Sequence, residues 1–184
     1  IAPLAAPPPA PTIAVAADGG RAVWQARGGP HWLTDNFGGR WQKVRGLPAT
    51  AVVAADRVEA ALWYGFDPAS GDLFVSGDGG VAFEKVDSGV GAVGDWFRGE
   101  LLPAPGNRGV VYFAASWKGL MRWGEGRLQR LPGVENAFAA GLGAPAPGST
   151  TPALDVFGQV AGATGLYRSD DDGQHRLRVG RAPH

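Results

Sequence analysis

An eight-residue turn, Ser76-Gly77-Asp78-Gly79-Gly80-Val81-Ala82-Phe83, returns near the end of the chain as Ser169-Asp170-Asp171-Asp172-Gly173-Gln174-His175-Arg176. Self-similarity of this kind points to a repeat architecture and excludes most others. The shared pattern, Ser-x-Asp-x-Gly, has a local physical logic. An Asp side chain accepts hydrogen bonds from backbone N–H groups just ahead of it, and Gly supplies a positive φ. Strand-like runs flank the copies: Asp72-Leu73-Phe74-Val75 and Phe83-Glu84-Lys85-Val86 around the first, Gly165-Leu166-Tyr167-Arg168 before the second. Each copy reads as a β-hairpin with an acidic, glycine-rich tip.

A degraded earlier copy runs from Leu33 to Val44, with Leu33 in the serine position, Asp35 as its aspartate and one extra residue before Trp41. From Asp35 to Asp78 is about one blade length, and from Asp78 to Asp171 about two, taking a blade as roughly 40 to 50 residues. The missing copy falls between Lys118 and Leu131, where strand-like runs flank a Gly124-Glu125-Gly126 tip that has lost Ser and Asp. Four such hairpins predict an all-β fold, a partial β-propeller of about four blades with Asp-box hairpins, spanning 13–184. The structural residues of the boxes are then Asp35, Ser76, Asp78, Gly80, Phe83, Ser169, Asp171 and Gly173. Trp41 and Phe83, at the aromatic position, are expected in the core.

Composition agrees: 30 Gly and 15 Pro in 184 residues leave little room for long helices. Seventeen basic and 17 acidic residues are interspersed, so neither a basic face for nucleic acid nor a polybasic segment for a membrane is indicated. Without Cys there is no disulfide framework and no thiolate metal site. His31, His175 and His184 show no metal spacing, and no cofactor is expected. Gly89-Val90-Gly91-Ala92-Val93-Gly94 matches a dinucleotide fingerprint literally but leads into Asp95-Trp96-Phe97 rather than a helix. Residues 1–12, rich in Ala and Pro, read as a linker or the remnant of a preceding segment.

Local propensity alone would make the Ala-rich stretch from Ala49 to Leu62 a helix. The repeat overrides it. A four-stranded blade needs further strands in that interval, and Thr50 to Ala54 and Leu62 to Phe66 are the candidates.

Asp56-Arg57-Val58, then Trp63-Tyr64-Gly65-Phe66-Asp67-Pro68, then Gly71 to Phe83 follow an order that resembles glycoside hydrolase family 74, the xyloglucanases. The likeness continues through Leu131 to Phe138, Gly141-Leu142-Gly143, Ala146-Pro147-Gly148 and Tyr167 to Asp171. The resemblance implies an extracellular or periplasmic β-1,4-glucan hydrolase of two seven-bladed propellers, with the polysaccharide, xyloglucan or a related β-glucan, held in the cleft between them. It also implies an acid and base pair of aspartates. Inverting hydrolysis needs two such carboxylates about 6.5 to 9.5 Å apart, one to protonate the leaving oxygen and one to activate water. No position here corresponds to either. The chain therefore resembles the last blades of the second propeller, lacks catalytic residues of its own, and has as partners the missing N-terminal blades. The tail, Arg178 to His184, aligns with a run the family continues, so that His184 is expected to be a cut edge.

Asp95, beside Trp96, is the most tempting carboxylate for catalysis, and the resemblance implies that it falls in an inter-blade connection. Asp56-Arg57 reads as an ion pair pinning a loop. Among the aromatics, Trp96 and Trp117 stand in loop-like surroundings and are the candidates for stacking on sugar. Departures from the family pattern include Arg176 where the last box should carry Trp and His175 where it should carry Thr. The alternative to an enzyme segment is a non-catalytic Asp-box propeller that binds a protein or glycan partner.

Overall fold

The structure, a computed structural model, describes residues 12–26, 28–94, 97 and 100–181. The described residues form four four-stranded antiparallel sheets, each built in chain order. Blade 1 comprises β1 (Thr12–Val15), β2 (Ala22–Gln25), β3 (His31–Thr34) and β4 (Gln42–Lys43). Blade 2 comprises β5 (Val52–Ala55), β6 (Trp63–Asp67), β7 (Asp72–Ser76) and β8 (Glu84–Asp87). Blade 3 comprises β9 (Leu102–Pro103), β10 (Val111–Ala114), β11 (Leu120–Gly124) and β12 (Arg127–Arg130). Blade 4 comprises β13 (Val134–Gly143), β14 (Ala153–Val160), β15 (Ala163–Ser169) and β16 (Leu177–Arg181).

The Ala-rich stretch folds as β5 and a turn that leads into β6, so repeat periodicity outweighs helix propensity there. Its alanines pack rather than coil: Ala55 is buried beside Val53 and Trp63. The stripped third hairpin joins β11 to β12 by a two-residue turn, Glu125-Gly126, with φ of 56° and 72°. Positive φ at both central residues twists such a turn in the sense of its strands, so the hairpin closes without a hydrogen-bonded acidic tip.

Three hydrophobic clusters hold four sheets together, one between each consecutive pair. Val23, Leu33, Trp63 and Phe83 join blades 1 and 2; Tyr64, Phe66, Val111 and Phe113 join blades 2 and 3; Tyr112, Leu120, Leu154 and Val156 join blades 3 and 4. Strand alternation decides which side chain goes where. On β6, Trp63 faces blade 1 while Tyr64 and Phe66 face blade 3; on β10, Val111 and Phe113 face blade 2 while Tyr112 and Ala114 face blade 4. All residues of β6 and β10 are accordingly buried, whereas β2 of blade 1 and β14 of blade 4 alternate buried with half-buried positions. That contrast is the signature of strands covered on two faces against strands covered on one. The outer faces of the stack are correspondingly apolar and open: Ile13 is 63% and Val15 53% exposed on blade 1, Leu177 71% and Phe138 47% on blade 4.

Backbone pairing also crosses between blades. Beyond β4 the chain runs beside the turn of blade 2, where Arg45 accepts from Phe83 N–H (3.0 Å) and donates to Val81 (3.0 Å). Gly46 follows with φ 79°, and a β-carbon there would lie 2.0 Å from the Phe83 carbonyl oxygen, so only glycine fits.

Candidate functional site

In blades 1, 2 and 4 the turns between third and fourth strands share one hydrogen-bond plan. In blade 2 the Ser76 hydroxyl donates to Asp78 Oδ1 (2.7 Å) and accepts from Gly80 N–H (3.0 Å), while Asp78 Oδ1 accepts from the N–H groups of Val81 and Ala82 (both 3.0 Å). In blade 4 Ser169 donates to Asp171 (2.8 Å) and accepts from Gly173 N–H (2.9 Å), and Asp171 accepts from His175 N–H (2.9 Å).

Blade 1 corrects the expected frame. Thr34 Oγ1 donates to Asn36 Oδ1 (3.1 Å) and accepts from Gly38 N–H (2.9 Å), and Asn36 Oδ1 accepts from Arg40 N–H (2.8 Å). Thr34 and Asn36, not Leu33 and Asp35, occupy the serine and aspartate positions. A threonine hydroxyl and an amide oxygen serve as well as Ser and Asp, because the turn needs a donor–acceptor and an acceptor rather than a charge. In this frame Trp41 falls at the eighth position with no inserted residue, and Asp35 sits at the exposed tip.

The aromatic positions also divide. Phe83 is buried, 5% exposed, against the chain leaving blade 1. Trp41 is 42% exposed, contrary to the expected core role, because it lies on the open side of blade 1, where no described blade covers it. Arg176, at the same position in blade 4, donates from Nη1 to the Pro132 carbonyl (2.6 Å), yet its Nε and Nη2 are buried without a partner among the described residues.

The carboxylates of Asp78 and Asp171 are held ionised. Burial pushes the Asp78 carboxyl up, but hydrogen bonds from Ala82, Ser76 and Val81 outweigh it and leave the group below its ordinary value. The Asp171 carboxyl is held far below that range by the backbone and side chain of His175, with Ser169 adding to the effect. A general acid needs the opposite, a carboxyl whose affinity for its proton is raised.

Asp56 pins its loop through neutral donors, not through Arg57 as expected. Its buried carboxylate accepts from Val58 and Glu59 N–H (both 2.8 Å), from the Tyr64 hydroxyl (2.6 Å) and from Gly109 N–H of the next blade (2.9 Å). Further polar links join consecutive blades. Gln25 pairs with the backbone of Val53, the His31 ring with the Ala51 carbonyl (2.8 Å), and Arg122 with Asp172 (3.0 Å), which also accepts from Tyr112. Nothing in the sequence pattern marks Gln25, Tyr112 or Arg122. Asp172 carried the one available signal, its place inside the repeated turn.

Trp117 is 44% exposed in the turn between β10 and β11, where Ser116 holds a left-handed φ of 51°. Asp95 and Trp96 lie outside the described residues, as do Ile1 to Pro11 and His184. Among the described residues no three His, Asp or Glu side chains gather as a metal site would need. The arrangement is one of locked turns and inter-blade links, with exposed aromatics at its rim.

No family model matches the sequence. Individual proteins do. The chain is 32% identical over 181 residues to a xyloglucanase of a Paenibacillus species, matching 94% of this chain and 17% of that protein. It is 31% identical over 175 residues to the xyloglucanase Xgh74A of Acetivibrio thermocellus, matching 94% of this chain and 20% of that protein. Its fold overlays on the crystal structure of the GH74 xyloglucanase from Xanthomonas campestris with a TM-score of 0.82 and 39% identity, over 96% of this chain and 26% of the other. The chain thus spans about a quarter or less of the length of the relatives it matches. In sequence and in fold alike, this stack of four blades is a relative of the family 74 glycoside hydrolases.

Proposed function

We propose that the chain is the C-terminal propeller segment of a secreted glycoside hydrolase that acts on xyloglucan or a related β-1,4-glucan, and that it serves the enzyme as scaffold rather than as the seat of its chemistry. The observation that carries this reading is a match along 94% of the chain to proteins named xyloglucanase. The carboxylates of the turns support it from the other side: Asp78 and Asp171 spend their lone pairs on backbone N–H groups and are held ionised, so neither is poised to protonate a leaving oxygen. In this reading the acid and base lie in other parts of the longer polypeptide, and Trp117, with Trp96, is a contact for the glucan chain, an aromatic face being the apolar surface a sugar ring can cover.

The test is release of reducing ends from xyloglucan by the longer polypeptide. Hydrolysis is expected, and its absence on xyloglucan and on mixed β-glucan would refute the reading. Turnover by the 184-residue chain alone, lost on Asp95→Asn, would relocate the chemistry into this segment.

A further inference from the structure

One backbone position of the turn motif is a meeting point between blades. In blade 2 it is Gly79, φ 80°, and Arg21 of blade 1 reaches it, donating from Nη1 to the carbonyl oxygens of Asp78 (2.7 Å) and Gly79 (3.3 Å). In blade 4 it is Asp172, φ 61°, whose carboxylate takes Arg122 of blade 3 at 3.0 Å alongside the Tyr112 hydroxyl. Both complete motifs that follow another described blade are therefore approached at this point by an arginine of that blade.

In blade 1 the position belongs to Phe37, φ 57° and 96% exposed. A bulky side chain at left-handed φ is disfavoured, and an aromatic ring in water gains nothing from burial. The fold of these four blades offers Phe37 no compensation. Its neighbourhood continues the open face of blade 1, where Ile13, Val15 and Trp41 are exposed and Trp24 stands opposite Trp32 across β2 and β3. The equivalent face of blade 2 is an inter-blade interface already, with Phe83 packed toward blade 1.

We propose that Phe37 is the docking point for a basic side chain, an arginine on the precedent of Arg21 and Arg122, supplied by a further blade of the same polypeptide seated on the open face of blade 1. The guanidinium would lie over the ring as a cation–π pair, where blade 2 offers carbonyl oxygens and blade 4 a carboxylate. The inference rests on the reading of the chain as a segment of a longer propeller.

Hydroxyl-radical footprinting of the longer polypeptide, read by mass spectrometry at Phe37, tests it together with the melting temperature of variants. Phe37 is expected to be protected without any sugar present and independently of protein concentration. Phe37→Gly should lower Tm by about 2 °C or more although it relieves the left-handed strain, and Phe37→Trp, which keeps a π face, should hold Tm better than Phe37→Leu. Labelling at the rate of a free side chain would overturn the proposal. So would protection that appears only with xyloglucan, the mark of a glucan platform, or only at high protein concentration, the mark of a second copy. An unchanged or raised Tm in Phe37→Gly would remove the docking role, and equal Tm values for the Trp and Leu variants would remove the basic partner. None of these readouts depends on hydrolysis, so failure of the enzymatic reading would show separately, in the xyloglucan assay.

Discussion

Gln25 holds Val53 by both of its backbone groups: Oε1 accepts from the Val53 N–H at 2.8 Å and Nε2 donates to the Val53 carbonyl at 3.0 Å. One side chain of blade 1 thereby acts as a strand partner for β5 of blade 2. The pair is buried, so its hydrogen bonds cannot be replaced by water without opening the interface. Propeller blades meet mainly through apolar faces, which fix distance but not register. The Gln25 amide fixes register.

Gln25→Ala should therefore destabilise the protein by about 2–4 kcal/mol, because it leaves a buried N–H and a buried carbonyl without partners. Chemical denaturation of the chain would read this. A loss near zero would mean that water reaches Val53.

His31, directly opposite Gln25 on the neighbouring strand β3, gives the same interface a dependence on pH. Burial lowers its affinity for a second proton, and the hydrogen bond to Ala51 offsets only part of that, so its folded pKa lies below 6.5. A group depressed in the folded state stabilises fully above its unfolded pKa and loses that contribution as pH falls through the folded value. Stability should decline as pH drops below 6.5, and His31→Gln should flatten that decline. Unfolding free energies measured across this window would show it; parallel profiles for the two proteins would exclude His31 as the cause.

The first turn offers a test of its frame. Asn36→Ala removes an acceptor that serves the Thr34 hydroxyl and the Arg40 N–H, and should cost about 1–2 kcal/mol. Asp35→Ala, at the exposed tip, should fall within about 0.5 kcal/mol of the parent. The reverse order of the two effects would restore Asp35 to the motif.

How far the sequence discloses this molecule follows from the range of each interaction. The blades were legible because Ser76, Asp78 and Gly80 act within five residues of one another, and such local chemistry repeats visibly. The frame of the first turn is hidden in the sequence because Thr34 and Asn36 keep the hydrogen bonds while changing the letters, and Asp35 is a decoy. The exposure of Trp41 cannot be read from its own hairpin because burial at that position depends on a neighbouring blade. Gln25, His31, Tyr112 and Arg122 act across blades, at positions set by stacking, and a pattern along one strand carries no trace of that.

Arg176 supplies a case where the turn is visibly imperfect. Its Nε and Nη2 are buried without partners among the described residues, at the position that Phe83 fills in blade 2. Arg176→Phe should stabilise the protein by about 0.5–1.5 kcal/mol, since relief of two desolvated donors exceeds loss of the bond to Pro132. A destabilised variant would show that the guanidinium finds partners in solution.

The central claim, that this segment scaffolds a xyloglucan-cleaving enzyme whose acid and base lie elsewhere, is tested most directly by kcat on xyloglucan for amide variants of the longer polypeptide. Asp78→Asn, Asp95→Asn and Asp171→Asn are each predicted to keep kcat, per folded molecule, within about three-fold of the parent, whereas removing a general acid or base costs on the order of 100-fold or more. Loss of turnover on that scale in any one of the three, with the fold intact by melting temperature, would contradict the claim.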